Sequence, residues 1–412
     1  MTERTEATTT CCIAGGGPAG MMLGLLLARA GIDVTVLEKH GDFLRDFRGD
    51  TIHTSTITLM EELGLADRFL ELPHRKAREL SALFGDTRVR ICDFSALDGP
   101  HPYILFMPQW DFLNFIATEA KKYPGFRLIM NAEAVGVIRA GDRTEGVVYR
   151  KNDEMRTLGA DLTVACDGRD STLRRAWSLE PRRYGTPMDV MWFRLPRSGN
   201  EGVDTGAHLE RGRMLVMIDR GDYWQMAYVI PKGTDAKVRA GGIEAFRQSV
   251  RDLCPFREPA RVEAIKSWDD VKTLVVEINR LETWHRPGLL FIGDAAHAMS
   301  PVGGIGINLA IQDAVAAANI LAGPLRAGAV SRDHLAAVQT RREKPTARTQ
   351  LLQRIAQRRV IGTALAGNRP IRPPFWLPWL LARPPVKRRI ARLIGIGLQA
   401  EHIGGDAATR AS

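Results

Sequence analysis

The chain has 412 residues, 45% of them hydrophobic, which is enough for two domains or one large composite domain. Its net charge of +10 is concentrated between Arg341 and Ala400, where fourteen Lys or Arg face one acid, Glu343; the first 340 residues carry about −2, and no base-stacking aromatic module accompanies the basic residues, which excludes nucleic acid as a partner. Cys11, Cys12, Cys92, Cys166 and Cys254 form no C-x-x-C pair, which excludes a disulfide framework and a zinc site and points to a reducing, cytoplasmic compartment, and no run of 18 uncharged apolar residues predicts a transmembrane segment.

In chain order, residues 1–10 are polar and Thr-rich and read as a frayed end. The stretch Ile13 to Gly20 contains G-x-G-x-x-G as Gly15, Gly17 and Gly20. An apolar helix from Met21 to Leu27 follows, then a short strand, Asp33 to Leu37, ending on Glu38. The first glycine makes the tight strand-to-helix turn, the second lets backbone approach a pyrophosphate, and the third lets helix and strand pack closely. The helix start supplies free N–H groups and partial positive charge, and a carboxylate at Glu38 suits a ribose diol. Together these predict an ADP-containing cofactor. No basic segment precedes the apolar run from Ala14 to Ala28, so it does not read as a secretory signal.

Gly41 to Arg48 reads as a loop, with Arg45 and Arg48 in reach of a phosphate or ribityl chain. Thr56 to Leu63 has helical spacing and stops at Gly64. Leu80–Phe84 and Val89–Phe94 alternate as strands and begin a layer over the substrate. Gln109 stands just before a helix from Phe112 to Lys121, and three short strands between Val135 and Leu158 form a β-meander. Ala160–Ala165 is a buried strand followed by Asp167-Gly168 and a helix containing Arg174, a second contact point for a phosphate or nucleotide.

From Val190 to about Ile278 strand patterns dominate, with one helix at Gly241–Leu253, and this reads as the antiparallel roof of a substrate pocket. Trp192, His208, Tyr223, Trp224 and Tyr228 are its candidate pocket-lining residues, with burial in the core as the alternative for each. Gly288–Ile292 is another buried strand, ending at Gly293-Asp294-Ala295-Ala296-His297. Asp294 suits a sugar-alcohol hydroxyl, and the helix opening near Gly306, Ile307 and Asn308 points N–H groups at an anionic ligand. His297 has small neighbours and no visible carboxylate partner, so it reads as structural. The arm after Arg341 is basic and proline-broken, with Phe375, Trp376 and Trp379 before a last helix, Val386–Leu398. It either packs on the cofactor domain or meets a membrane surface or lipophilic substrate.

Three separated motifs, G-x-G-x-x-G with Glu38, D-G-x-x-S-x-x-R at Asp167–Arg174, and G-D-A-A-H…P-x-x-G-x-G-x-N at Gly293–Asn308, resemble the single-component flavoprotein monooxygenases of the para-hydroxybenzoate hydroxylase type. The resemblance implies an α/β, α+β composite fold: a glutathione-reductase-like FAD-binding Rossmann domain (1–75, 106–185, 286–340) interrupted by an antiparallel substrate sheet (76–105, 186–285), with a helical arm at 341–412. It implies that Gly15, Gly17, Gly20 and Glu38 hold the ADP half of FAD. Arg48 and Gln109 also contact FAD, Asp167 meets FAD and nicotinamide, and Asp294 binds the ribityl chain. Gly306, Ile307 and Asn308 face the flavin pyrimidine edge, and the Pro301 carbonyl faces the reacting centre.

The implied reaction is hydroxylation of an aromatic or polyketide-like small molecule through a flavin C4a-hydroperoxide, with O2 and a transient NADPH or NADH donor. The implied state is monomer or homodimer. Thr54 stands where the family often has proline, and Tyr223 to Pro231 keeps one tryptophan of the halogenase W-x-W-x-I-P string, which argues against halogenation. An FAD-dependent reductase or dehydrogenase of an isoprenoid shares the same frame, and a redox-silent FAD-binding interaction module is a third reading.

Overall fold

A computed structural model describes residues 7–44, 51–198, 205–255, 259–367 and 372–408. Its first sheet runs in the order His285–Arg286, Leu289–Phe291, Glu154–Ala165, Ala7–Ala14, Val34–Leu37, Phe126–Ile129. All neighbouring pairs are parallel except the outermost two, His285–Arg286 and Leu289–Phe291. Alternation along the first strand explains the layers. Cys11 and Ile13 pack with helices Pro18–Arg29 and Gly306–Arg326, while Cys12 and Ala14 pack with Ala134, Val147 and Tyr149 of the meander. Buried on both faces, these short strands carry few polar side chains.

The expected meander and the buried strand after it share one element. Glu154–Ala165 is a single twelve-residue strand. Its first half pairs antiparallel with Arg143–Lys151 and its second half parallel with Ala7–Ala14. Gly146 makes the crossing possible, because a Cβ there would lie 2.2 Å from the Leu158 carbonyl oxygen. Likewise the Thr-rich beginning is not frayed from Ala7 onward: Thr8 and Thr9 pair with Gly159 and Ala160.

The second sheet runs Lys272–Leu274, Met188–Pro196, Tyr223–Pro231, Arg213–Asp219, Gly206–Glu210, Glu79–Phe84, Thr87–Asp93. It is antiparallel apart from the pairing of Gly206–Glu210 with Glu79–Phe84. Helix Ile243–Leu253 covers one face through Phe246, Val250 and Leu253. The other face meets the cofactor-side loops and the C-terminal arm: Ile218, Trp192 and Val216 pack near Ala391, Ile390 and Ile394, and Val229 and Met188 pack near Ile361 and Val302.

The basic arm is therefore more than a cover for the cofactor domain. Its first helix begins at Arg332 and runs to Ala356. Its last, Pro384–Gly395, wedges beneath the second sheet. Between them Phe375 is 95% exposed and Trp379 62% exposed, with the Arg383 guanidinium 3.8 Å from the Trp379 ring. One helical stretch, Val302–Arg326, is long and apolar enough to cross a membrane by length and composition, but most of it is buried inside the protein. It carries Asp313 at its centre, fully enclosed.

Candidate functional site

The ends of four parallel strands are in register. Ala14 lies opposite Leu37 and Ala165, and Ala165 lies opposite Phe291. The loops that follow therefore open on one edge, and they are the loops carrying Gly15–Gly20, Glu38, Asp167–Arg174 and Gly293–Asp294. Main-chain bonds tie the exits together: Cys166 N–H donates to Ala14 O at 2.8 Å and Ile292 N–H to Ala165 O at 3.1 Å.

The three glycines of the first loop have different surroundings. Gly15 has φ +107°, and a Cβ there would lie 2.4 Å from Cys166 O. At Gly20 a Cβ would lie 2.0 Å from Gly15 O. Both are needed for the chain to pack at all. Gly17 meets nothing within 4 Å, so its missing side chain leaves a surface open to a ligand. It is also the N-cap of Pro18–Arg29, which has no side-chain cap and no acid in its first turn. Glu38 is buried and accepts from Gly16 N–H and His40 N–H, both at 3.0 Å, which holds its carboxylate against the same loop. Arg45 and Arg48 lie outside the described residues. Gln109 opens its helix instead of preceding it.

The second and third motifs are interlocked. Arg174 donates to Ala295 O at 3.0 Å and to Arg169 O at 2.5 Å. Arg169 Nε reaches Asp294 Oδ2 at 3.1 Å. Asp294, expected to face a hydroxyl, thus has a cationic partner in this state. Asp167 Oδ2 accepts from Leu173 N–H at 3.1 Å, while its buried Oδ1 has no partner among the described residues. Burial pushes this carboxyl above its ordinary range, against hydrogen bonds from Ser171 and the Leu173 amide. An enclosed, half-satisfied carboxylate at a nucleotide loop suits a ligand hydroxyl.

At the opposite end, Pro301–Gly304 forms a short turn in which Gly304 N–H donates to Pro301 O at 3.0 Å. Helix Gly306–Arg326 begins beyond it without a side-chain cap, leaving the N–H groups of Gly306, Ile307 and Asn308 for another acceptor. The Asn308 side chain is already engaged. Its Oδ1 accepts from His53 N–H at 3.0 Å and from Thr56 Oγ at 2.7 Å, which clamps the Thr51–Thr56 segment. His53 Nδ1 lies 2.5 Å from Ile394 O of the arm. Burial lowers its imidazole to about 4, only partly opposed by the Ile394 and Gly303 carbonyls.

His297 does have a carboxylate partner, contrary to the sequence reading. Its Nε2 lies 2.6 Å from Asp313 Oδ2, which also accepts from Gly293 N–H at 3.1 Å. Asp313 Oδ1 bonds Arg342 Nε at 3.0 Å, and Arg342 reaches Glu401 at 3.0 Å. Burial would raise the Asp313 carboxyl, but His297 and Arg342 hold it below its usual range. The partner is sixteen residues away in sequence, on another element, and no local spacing announces it.

The five substrate candidates divide by strand parity. Trp224 is fully buried under Ile243–Leu253, and Tyr228 bonds Ser249 Oγ at 2.7 Å on that face. His208 lies opposite Leu215 and shares the same face. These three point away from the Pro301 turn. Trp192 lies on the inner face, together with Gln225, which was not among the candidates. Their Nε1 and Nε2 groups are buried and unpartnered among the described residues. Tyr223 sits at the rim with the Arg194 guanidinium 4.8 Å from its ring.

In-register strand exits, an open glycine and uncapped helix starts at both ends of one edge define the frame of a dinucleotide-binding protein. The FAD binding domain family matches residues 8–351, and the chain belongs to that family. It is 30% identical over 404 residues to 6-methylpretetramide 4-monooxygenase of Streptomyces rimosus, spanning 97% of this chain and 95% of that protein. Other relatives are longer, and the chain spans 59–61% of three of them.

Among solved structures, p-nitrophenol 4-monooxygenase PnpA from Pseudomonas putida DLL-E4 superposes with a TM-score of 0.74 at 20% identity, over 95% of this chain and 100% of that one. The flavin-dependent brominase Bmp2 reaches 0.75 at 16% identity, over 98% of both chains. These two establish the fold. FAD is the cofactor, and monooxygenation is the reaction class of the sequence relatives.

Two outcomes follow from the glycine geometry and one from His53. Gly17→Val should fold within about 1 kcal/mol of the parent yet bind no FAD, since its side chain meets only the ligand space. Gly20→Ala, whose Cβ would meet the Gly15 carbonyl oxygen at 2.0 Å, should lose about 3 kcal/mol or more, at or beyond the top of the usual overpacking cost. Urea unfolding and flavin absorbance per chain check both, and normal flavin content in Gly17→Val contradicts the placement. For His53, the folded pKa of about 4 lies below the ordinary 6.5, so the unfolded chain takes up the proton first. Its contribution is fully present above pH 6.5 and lost as pH falls through 4, by up to about 3 kcal/mol. His53→Gln should flatten that part of the urea midpoint against pH.

Proposed function

We propose that this chain hydroxylates a planar, polycyclic aromatic polyketide using FAD, NAD(P)H and O2. The observation that carries the reading is the end-to-end likeness to a protein named as the 4-monooxygenase of 6-methylpretetramide. The inner face of the second sheet agrees with it. Its Trp192 and Gln225 N–H groups are buried without a partner among the described residues and suit the carbonyl or phenolic oxygens of such a substrate.

Gly15, Gly17, Gly20 and Glu38 would hold the ADP half of the cofactor, and Asp167 and Asp294 its sugar-alcohol region. Gly306, Ile307 and Asn308 would offer N–H groups and the positive end of a long helix to the ring edge, where negative charge is stabilised. Arg48 and Gln109 are assigned to the same cofactor, and Pro301 to the substrate side. Bound FAD supplies a two-electron acceptor for NAD(P)H and a partner for O2. The apolar sheet face and the arm, which pack on each other and on Val302 next to Pro301, would keep water from a substrate held there.

Reconstituted protein should oxidise NADPH faster when a polycyclic phenol is added, and should place one labelled oxygen from 18O2 in the product. Turnover without oxygen, giving unlabelled product, would instead support the reductase reading.

The exposed Phe375, Trp376 and Trp379, with Arg383 over the Trp379 ring, we assign to contact with an anionic lipid surface. Like charge on the arm opposes pairing of this patch with its own copy. Sedimentation with phosphatidylglycerol vesicles, lost on Phe375→Ser/Trp379→Ser and absent with neutral vesicles, is the expected result; equal binding by the variant contradicts it.

A further inference from the structure

The helix Arg332–Ala356 buries Leu335 and Val338 in the ordinary way, but its C-terminal half and the wide turn Gln357–Gly362 that continues it are packed with their polar side inward. Thr346, Thr349, Gln350, Gln353 and Gln357 are buried, while Leu351, Leu352, Ile355 and Val360 are 40–51% exposed. A helix lying on a protein core ordinarily does the opposite. Burying amide groups is unfavourable unless each finds a partner, so a reason for the inversion must lie in what the amides touch.

They touch the main chain that leads into and out of Pro301. Gln350 Nε2 donates to Ala298 O at 3.0 Å and to Asn279 O at 2.8 Å. Gln353 Oε1 accepts from Ser300 N–H at 3.2 Å, and its Nε2 donates to Ser300 O at 3.1 Å and Val302 O at 2.9 Å. Gln357 Nε2 donates to Ser300 Oγ. Gln353 thus takes both main-chain groups of Ser300 and one of Val302, bracketing a proline that has no N–H of its own. The spacing of three and then four residues puts the three amides on one helix face. The wider winding begins at Gln357, the last of the three, where an extra residue per turn marks a functional departure from regular helix.

We infer that Gln350, Gln353 and Gln357 are positioning residues that fix the Ala298–Val302 segment, and through it Pro301, against the flavin ring. The segment between the third motif's His297 and Val302 forms no strand or helix of its own; Asn279 of the strand Ile278–Arg280 bonds both main-chain groups of Ala298, and from Ser300 onward the side-chain bonds come from the arm. The arm supplies, from a separate helix, the hydrogen bonds a sheet neighbour would give. This inference rests on the reading that the Pro301 turn borders the ring, and it adds that the arm sets the ring's surroundings.

The test uses the reconstituted full chain and free FAD as the probe. Gln353→Met keeps the volume and removes the three bonds. The expected result is an FAD dissociation constant raised about tenfold, the scale of one or two lost hydrogen bonds, together with an altered visible circular dichroism band of the bound flavin and faster substrate-free release of H2O2 from NADPH oxidation. A lower melting temperature with the parent's FAD affinity and visible dichroism would overturn the inference, because a merely structural role predicts that pattern. If Gln353→Met does not fold, the same comparison on Gln357→Met decides between the two outcomes. A parent protein that binds no FAD would instead sink the cofactor reading itself.

Discussion

The register between Ala14, Leu37, Ala165 and Phe291 is the constraint on which the site depends. A slip of one residue in any of these pairings would turn every buried side chain to the other face and carry its loop off the common edge. The register is enforced by two backbone contacts that tolerate no side chain, Gly15 against Cys166 and Gly20 against Gly15. Strand ends as distant in sequence as Ala14, Ala165 and Phe291 are thereby delivered to one place. Once they are there, Arg174 and Arg169 stitch the second motif to the third.

The far end of the site is held by a different device. Buried charge and buried amide groups from the arm take the place of sheet pairing. Asp313, fixed between His297 and Arg342, accepts the Gly293 N–H at the root of the third motif. Breaking such an enclosed pair by removing one partner typically costs about 3–5 kcal/mol, while the intact network contributes order more than net stability. The inward-facing glutamines continue the same logic toward Pro301. The exposed leucines on the back of that helix are the counterpart: apolar residues left outside because the inside is reserved for hydrogen bonds to loop backbone.

Much of the cofactor half could be read from the chain because its signals are local. Gly15, Gly17, Gly20 and Glu38 sit within one β-α-β unit, and turn, helix start and strand end follow from neighbours in sequence. The sequence suggests two strands divided at Gly159 where the structure has one, since a glycine between two short strand patterns looks like a turn when its second partner strand is unseen. The roof residues failed for a physical reason: Tyr223 and Trp224 cannot face the same side of one strand, so a list that includes both parities must be half wrong about the inner face. His297 to Asp313 and Gln353 to Ser300 were invisible because they are tertiary bonds between polar residues on separate elements, which no local spacing announces. The arm was legible only as basic and proline-broken; which side turned inward was decided by the backbone it had to satisfy.

A crystal structure of the chain with FAD tests the central claim most directly. The account predicts one FAD per chain lying along the common strand edge, its ribose diol on the Glu38 carboxylate, its pyrophosphate beside Gly17, and its ring edge at the N–H groups of Ile307 and Asn308. Flavin density elsewhere, or loops after Ala14, Ala165 and Phe291 that do not share one ligand, would contradict it.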